Sequence, residues 1–475
     1  MTDSTTTCFP HVTDLALGAL ADVVGGTLRL AAMPPRDGDM APVERIVTDV
    51  RHAQRGDVYW AIPGKSCENG FDPASDCAYE ALMRGAAGVV ANHRVEPFAG
   101  RWSIEVADPV VALWELARWK RDRFCGQMIA LCGDETDSLA AALIDCVLRC
   151  HLTGAAPNSN DALHDEPRVA LPLAMLNVDA ADDYAIAPLN AESAEQTDAA
   201  ARLCRPQVVV AMGSGNPASV KRAASLLSSD AHAIVCGDEP ALRRSLAGIS
   251  ANVRTFGRGG DCDFAATNVE YAAGCLRCEV EGATLCVRVW GRHHLHAVLA
   301  AYAVGRTLGL EPHEIAAALA AFLPPPDRSQ VTQSDGLTII HEAPRGGKPS
   351  LVALELLRET TARGRRFVLC GDEDAACDDA RDLRKRFGGD VVCRAGADRF
   401  VAYGRDAREV VAAARDAGMP LGHAIACREL EDAARYVAEE SQPGDVLLIN
   451  AAPREAVKKI LASRAPPATT LRRAA

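Results

Sequence analysis

Ile129-Ala130-Leu131-Cys132-Gly133-Asp134-Glu135-Thr136-Asp137-Ser138 closes a short apolar run (Met128 to Leu131) and leads into the helix-like stretch Leu139 to Leu148. Strand, glycine turn and helix in that order are the setting of a phosphate-binding loop. There backbone N–H groups cradle phosphates and a lysine neutralises them. The pattern asks for Gly-Lys-[Ser/Thr] at its end. Here the glycine position is Thr136 and the lysine position is Asp137, so only Gly133 and the hydroxyl of Ser138 remain. A carboxylate about 4 Å from a phosphate charge costs roughly 4 kcal/mol at an effective dielectric of about 20. The stretch therefore predicts the fold of a nucleotide loop without its chemistry.

Outward from this loop, 475 residues suggest about three domains. Upstream, Val43 to Val50, Asp57 to Ile62 and Ala87 to Ala91 read as strands, with a helix over Ala78 to Arg84 ended by Gly85. Downstream, Tyr184 to Ala187, Gln207 to Met212, Ala233 to Cys236 and Val253 to Phe256 read as strands. Cys275 to Val280 and Ala283 to Val289 read as a hairpin turning at Glu281-Gly282. Helices are expected over His294 to Leu308 and from Pro312 to Phe322, and Pro324-Pro325-Pro326 is a linker. Beyond it, strands at Leu337 to Ile340, Phe367 to Cys370, Arg399 to Tyr403, His423 to Cys427 and Val446 to Ile449 alternate with helices. Ser350 is placed to cap the first of those helices. This alternation predicts an α/β class with a parallel, Rossmann-like C-terminal sheet. The expected boundaries are 1–125, 126–328 and 329–463, with a disordered tail over 464–475.

A net charge of -12 argues against nucleic-acid or anionic-membrane partners held by bulk charge. No run of about 20 apolar residues predicts a spanning helix, and the N-terminus has no secretory pattern. The 17 cysteines are odd in number and scattered, which does not read as a disulfide framework. Cys275 and Cys278 have zinc-like spacing but no second pair, so structural thiols are expected, in a reducing cytoplasm.

In order and spacing, further landmarks carry a resemblance. Thr48-Asp49-Val50-Arg51 is followed by Arg55-Gly56-Asp57-Val58-Tyr59-Trp60-Ala61-Ile62, then Gly64, Asn69-Gly70-Phe71 and Gly85-Ala86-Ala87-Gly88-Val89-Val90. Later come Gly291-Arg292-His293-His294-Leu295, Leu308-Gly309-Leu310, Arg328 and Pro443-Gly444-Asp445-Val446-Leu447-Leu448-Ile449. Together they resemble the Mur ligase family over nearly the whole chain. The resemblance implies three α/β domains: an N-terminal domain that holds a UDP-sugar, a central P-loop-type ATP domain, and a C-terminal Rossmann-like domain. It also implies ATP-dependent amide ligation with Mg²⁺. In that chemistry a carboxylate attacks the γ-phosphate and an amine displaces the resulting acyl phosphate.

The chemical positions depart from the family. Its loop lysine is Asp137. Its metal-binding glutamate falls near Ala187 or Pro188, and its metal-binding histidine near Asn216. Its carbamylated lysine falls near Ser225, with Lys221 out of register. The family's asparagine pair falls in His341-Glu342-Ala343-Pro344-Arg345-Gly346-Gly347-Lys348, and its terminal lysine motif reads Asn450-Ala451-Ala452-Pro453 before Arg454. No catalytic residue or metal ligand is assigned. Asp49 and Arg51 are candidates for a nucleotide sugar, or a surface turn with a satisfied ion pair. Arg328, Arg345 and Lys348 are further substrate candidates, or a linker residue and a solvated loop. Ser138 is a phosphate donor or a first-turn residue, and Asp134, Glu135 and Asp137 a metal cluster or carboxylates favoured by a helix N-terminus. His293 and His296, three apart, would share a helix face.

Two functions follow. One is a non-catalytic family member that binds or scaffolds UDP-muramoyl peptide or cell-wall synthesis proteins, with no cofactor expected. The other is an active ligase that uses ATP and Mg²⁺ to join D-Ala-D-Ala or another amine to a UDP-muramoyl peptide carboxylate. Lys221, Arg328, Lys348 and Arg454 would then be its relocated cations.

Overall fold

Short apolar runs bounded by glycine and proline become the strands of four sheets, and the helices between them bury one stripe each. The computed structural model describes residues 15–32, 43, 45–62, 73–133, 138–156, 167–189, 194–213, 215–272, 274–325, 330–342, 350–371 and 378–464. The chain packs as two compact units. One holds residues 1–135, 144–265 and 300–311, the other 136–143, 266–299 and 312–475.

In the first unit, β1 (Thr27–Leu30), β2 (Ile46–Val47), β3 (Val58–Trp60), β4 (Gly88–Ala91) and β5 (Trp102–Glu105) form one sheet in the order β1-β5-β4-β3-β2. Only β1 runs antiparallel to its neighbour. Helices α1 (Leu17–Val23), α2 (Pro73–Arg84) and α3 (Pro109–Arg121) accompany it. Trp60 is fully buried, and its indole N–H donates to Pro109 O at 2.7 Å, satisfying the one polar atom it takes inside. Val43 to Val50 is not one strand: pairing stops after Val47, because Asp49 caps a 3₁₀ turn over Val50–His52.

The same unit carries β6 (Gln127–Cys132), β7 (Gly154–Ala155), β8 (Tyr184–Pro188), β9 (Val208–Ala211), β10 (His232–Cys236), β11 (Asn252–Gly257) and β12 (Phe264–Ala265). They are parallel, in the order β12-β11-β10-β9-β6-β8-β7. All four residues of β9 are buried, the signature of a strand covered on both faces. The accompanying helices are α4 (Ser138–Leu148), divided between the two units after Leu143, α5 (Pro167–Leu176), α6 (Ala194–Cys204), α7 (Pro217–Ser225) and α8 (Pro240–Ser245). Val169, Leu173 and Leu176 of α5 join the core of the first sheet with Leu113 and Leu116 of α3.

In the second unit, β13 (Thr267–Ala272), β14 (Cys275–Val280) and β15 (Ala283–Arg288) form an antiparallel sheet. The expected turn is there: Glu281 and Gly282 have φ 48° and 78°, the paired left-handed geometry of a tight hairpin. After a 3₁₀ turn over Arg292–His294 come α9 (Leu295–Thr307), divided between the two units after Leu299, and α10 (Pro312–Ala321). The last sheet comprises β16 (Gln330–Ser334), β17 (Leu337–Glu342), β18 (Arg366–Cys370), β19 (Arg399–Tyr403), β20 (Ala424–Cys427) and β21 (Val446–Asn450), in the order β16-β17-β21-β18-β19-β20. It is parallel except for β16, which pairs antiparallel with β17 along the edge, so the wholly parallel expectation is corrected there. Helices α11 (Leu351–Glu359), α12 (Asp378–Cys393), α13 (Ala407–Asp416), α14 (Leu430–Glu440) and α15 (Arg454–Arg464) accompany it. Ser350 caps α11 as expected, its Oγ accepting from Ala353 N at 3.3 Å. Arg464, expected to open the tail, ends α15 and donates to Ser441 O at 2.7 Å. Residues 465–475 lie outside those described. No helix among the described residues is long and apolar enough to cross a membrane.

Candidate functional site

Asp49 and Arg51 close on each other. The Asp49 carboxylate accepts from Arg51 N at 2.8 Å and from Arg51 Nη2 at 2.7 Å. Burial works against the Asp49 charge, but hydrogen bonds from the Arg51 side chain and backbone outweigh it and hold the carboxyl below its usual range. Nearby, buried Asp57 takes a two-point contact from Arg45, with Nε to Oδ1 at 2.8 Å and Nη2 to Oδ2 at 2.5 Å. That pair fixes the turn before β3.

The segment that the sequence reading compares with a phosphate-binding loop starts where β6 ends. Leu131 and Cys132 are buried and Gly133 is half-buried, while Ser138 opens α4. Asp134, Glu135, Thr136 and Asp137 lie outside the described residues, as does the side chain of Ser138. Beside β6 in the sheet stand the positions where the family resemblance expects metal ligands. Ala187 pairs with Ala130 and Pro188 with Leu131, and Leu189 N donates to Leu131 O at 2.8 Å. Ala187 is 2% exposed, so among the described residues this strand end offers packed methyl groups and no carboxylate. On the other side of β6, Met212 N donates to Cys132 O at 2.8 Å. A side chain at Gly215 would meet Met212 O at 3.0 Å and Cys132 O at 3.3 Å, so the turn into α7 presses against the end of the loop strand. Asn216 follows. Its Oδ1 accepts from Ala218 N at 2.9 Å and lies 3.5 Å from Ser219 N, capping α7 ahead of Pro217. Lys221 and Ser225 are exposed on that helix, and Ser225 Oγ donates to Arg222 O at 2.7 Å.

In the second unit, His293 and His294 stack with ring centroids 3.8 Å apart. Their 3₁₀ turn brings these neighbours together, rather than the His293–His296 pair expected from helical spacing. Burial pushes His293 down to about 4 and His294 well below its ordinary value, and His294 Nδ1 has no hydrogen-bond partner among the described residues. Gly291 N donates to the Tyr271 hydroxyl at 2.7 Å and sets the start of this turn. Cys275 and Cys278 lie three apart on β14, and successive side chains on a strand point to opposite faces. Cys278 is accordingly in the core and Cys275 on the outer face, so the two cannot share a metal. Thirteen described cysteines are free, the expected thiols Cys275 and Cys278 among them, and Cys77 is disulfide-bonded.

At the carboxyl ends of β17 and β21, His341 Nε2 lies 3.0 Å from Ala452 O, and Glu342 is buried. Asn450 accepts from Ser350 N at 2.9 Å and donates to Ser350 O at 2.8 Å. Arg328, Arg345 and Lys348 lie outside the described residues, as do the Arg454 side chain, Gly64 and Asn69-Gly70-Phe71. Sequence reasoning missed a cavity of about 530 Å³ beside Tyr403, Gly404, Arg428, Glu429, Glu431, Pro453, Glu455 and Lys459. It opens at the carboxyl ends of β19, β20 and β21, where open α/β sheets hold ligands. Lys459 pairs with Glu431 there, and its hydrogen bond holds the Glu431 carboxyl below the usual range. The strand ends were legible in the sequence; the convergence of both charge signs on them was not.

The fold is an α/β fold like that of the Mur ligases. No protein-family profile matches the sequence. It is 24% identical over 458 residues to the UDP-N-acetylmuramoyl-tripeptide--D-alanyl-D-alanine ligase of Bacillus subtilis, covering 91% of this chain and 94% of that one. The MurF structure from Acinetobacter baumannii superposes with a TM-score of 0.68 at 17% identity, covering 94% of this chain and 98% of that one. MurF ligase from Thermotoga maritima, solved in complex with ADP, gives 0.61 at 19% identity over 88% and 96%. The resemblance read from the sequence therefore stands: the three-domain Mur ligase fold covers most of the chain, and its full-length curated relatives carry the name of the D-Ala-D-Ala-adding ligase.

Proposed function

We propose that this chain is a non-catalytic relative of the Mur ligases that binds or scaffolds in peptidoglycan precursor synthesis. Its partners would be a UDP-muramoyl peptide or proteins of the cell-wall machinery. One observation supports the reading: the positions at which the resemblance expects the family's charged or metal-binding groups hold residues already committed to structure. Asn216 caps a helix, Ala187 and Pro188 complete a strand ladder, and Asn450 is locked to Ser350. At the end of β8 the described residues are Ala187 and Pro188, and neither supplies the carboxylate oxygen that Mg²⁺ takes. We take residues 1–125, 126–328 and 329–463 as the domains. Asp49, Arg51, Arg328, Arg345 and Lys348 are the proposed substrate contacts, with Gly133, Thr136, Asp137 and Ser138 as a vestigial loop. The cavity beside Lys459 and Glu431 carries both charge signs and suits a small zwitterion such as an amino acid or dipeptide.

The test is phosphate release from ATP at millimolar Mg²⁺ with UDP-muramoyl tripeptide and D-Ala-D-Ala, beside calorimetric titration of each component. Binding of the muramoyl peptide with no ATP-dependent phosphate release is expected. Turnover with new amide would end the proposal in favour of the second reading, an active ligase. That reading is favoured by one observation: Lys221 is exposed on a helix whose entering turn presses against the loop strand.

A further inference from the structure

The outer face of the three-stranded sheet brings two cysteines together. On β14 the residues of that face are Cys275, Arg277 and Glu279, and on β15 they are Thr284, Cys286 and Arg288, by the two-residue period of a strand. The register sets Cys275 opposite Arg288 and Cys286 opposite Arg277, so the thiols lie on one diagonal of the hairpin. Their sulfurs are 2.9 Å apart. A disulfide needs about 2.05 Å, so less than an ångström separates the pair from bonding distance. Cys286 is exposed and Cys275 half-buried, which leaves the pair open to small oxidants.

We propose that Cys275 and Cys286 form a reversible disulfide, closed by a hydroperoxide and reopened by a dithiol. Cys286, the more exposed, attacks the peroxide as its thiolate. The O–O bond breaks, one oxygen stays on Cys286 as a sulfenic acid, and the other leaves as water after taking a proton. The Cys275 sulfur then attacks the Cys286 sulfur, an S–S bond forms, and the sulfenic oxygen leaves as a second water carrying the Cys275 proton. Two thiols are oxidised by two electrons and one hydrogen peroxide is reduced to two waters. Burial and the neighbouring Cys286 raise the Cys275 thiol above its ordinary value, against the pull of Arg288 and Arg277, which suits Cys275 to the part of the protonated, resolving thiol. Cys278 takes no part, since it is buried on the opposite face of the same strand.

The experiment treats the purified full-length chain with hydrogen peroxide, alkylates the remaining thiols and maps tryptic peptides without reductant. Cleavage after Arg277 separates Cys275 from Cys286. The expected product is a linked pair of peptides, lighter by two hydrogens than their sum, that dithiothreitol separates. Cys286→Ser should lose the link, and Cys275→Ser should lose it while a dimedone adduct accumulates on Cys286. Independent alkylation of both cysteines after oxidation, separate over-oxidation of each, or linkage of either to another cysteine would overturn the proposal.

Discussion

Asn450 and Ser350 hold each other through both ends of one side-chain amide, at 2.9 Å and 2.8 Å, across a hundred residues of sequence. Asn450 is 0% exposed, and the Ser350 backbone it occupies is the point where α11 begins. The amide therefore ties the end of β21 to the start of a helix.

Asn450→Ala should destabilise the protein on the order of 1–2 kcal/mol, because two part-buried hydrogen bonds to the Ser350 backbone vanish. Asn450→Lys, the residue type the resemblance expects there, should also destabilise, since it removes both hydrogen bonds to Ser350 and buries an ammonium group next to Glu342. Urea denaturation of the three proteins measures the two losses. A lysine variant as stable as the parent, with ATP turnover, would contradict the second.

Asn216→Ala should cost about 1 kcal/mol, the usual loss for a helix N-cap, whereas Asn216→Asp should be close to neutral because it keeps the accepting oxygen. Equal losses in the two variants would mean that the side chain serves something other than the two N–H groups it faces.

The stacked histidines give a pH dependence with a definite sign. An unfolded histidine titrates at about 6.5, while His293 in the fold titrates at about 4. Between those values the unfolded chain binds the extra proton, so stability falls as pH drops from about 6.5 towards about 4. The span from His293 alone is on the order of 3 kcal/mol. A His293→Gln, His294→Gln double variant should show a flatter melting temperature over that window. Parallel curves for variant and parent would remove these histidines as the cause.

Restoring the loop by sequence should not restore chemistry. Thr136→Gly with Asp137→Lys is expected to leave phosphate release at background, because Ala187, Asn216 and Asn450 still lack the family's groups. Measured turnover in that double variant, lost again on adding Lys221→Ala, would show that two substitutions suffice.

Elements marked by strong local chemistry were legible beforehand. The Glu281-Gly282 turn, the Ser350 cap and the apolar strands of the C-terminal sheet fall where spacing and turn residues put them. Less legible were pieces that depend on a partner far along the chain. Strand β1 exists through pairing with β5, some 75 residues on, and β16 through its place on the edge of β17. At the candidate site, the departures from the family's letters could be read in the sequence, but the structural work of Asn216 and Asn450 could not. An Asn-Pro pair at a helix start could have signalled the first. The second depends on a contact between residues 350 and 450 that no local pattern encodes.

The left-handed pair at Glu281 and Gly282 sits at the apex of the hairpin, with nothing within 4 Å of where a side chain on Gly282 would point. A short foreign peptide spliced between them would leave all six rungs joining β14 to β15 in place. That apex is thus where a fluorophore or affinity handle can be carried in order to watch this molecule among its partners.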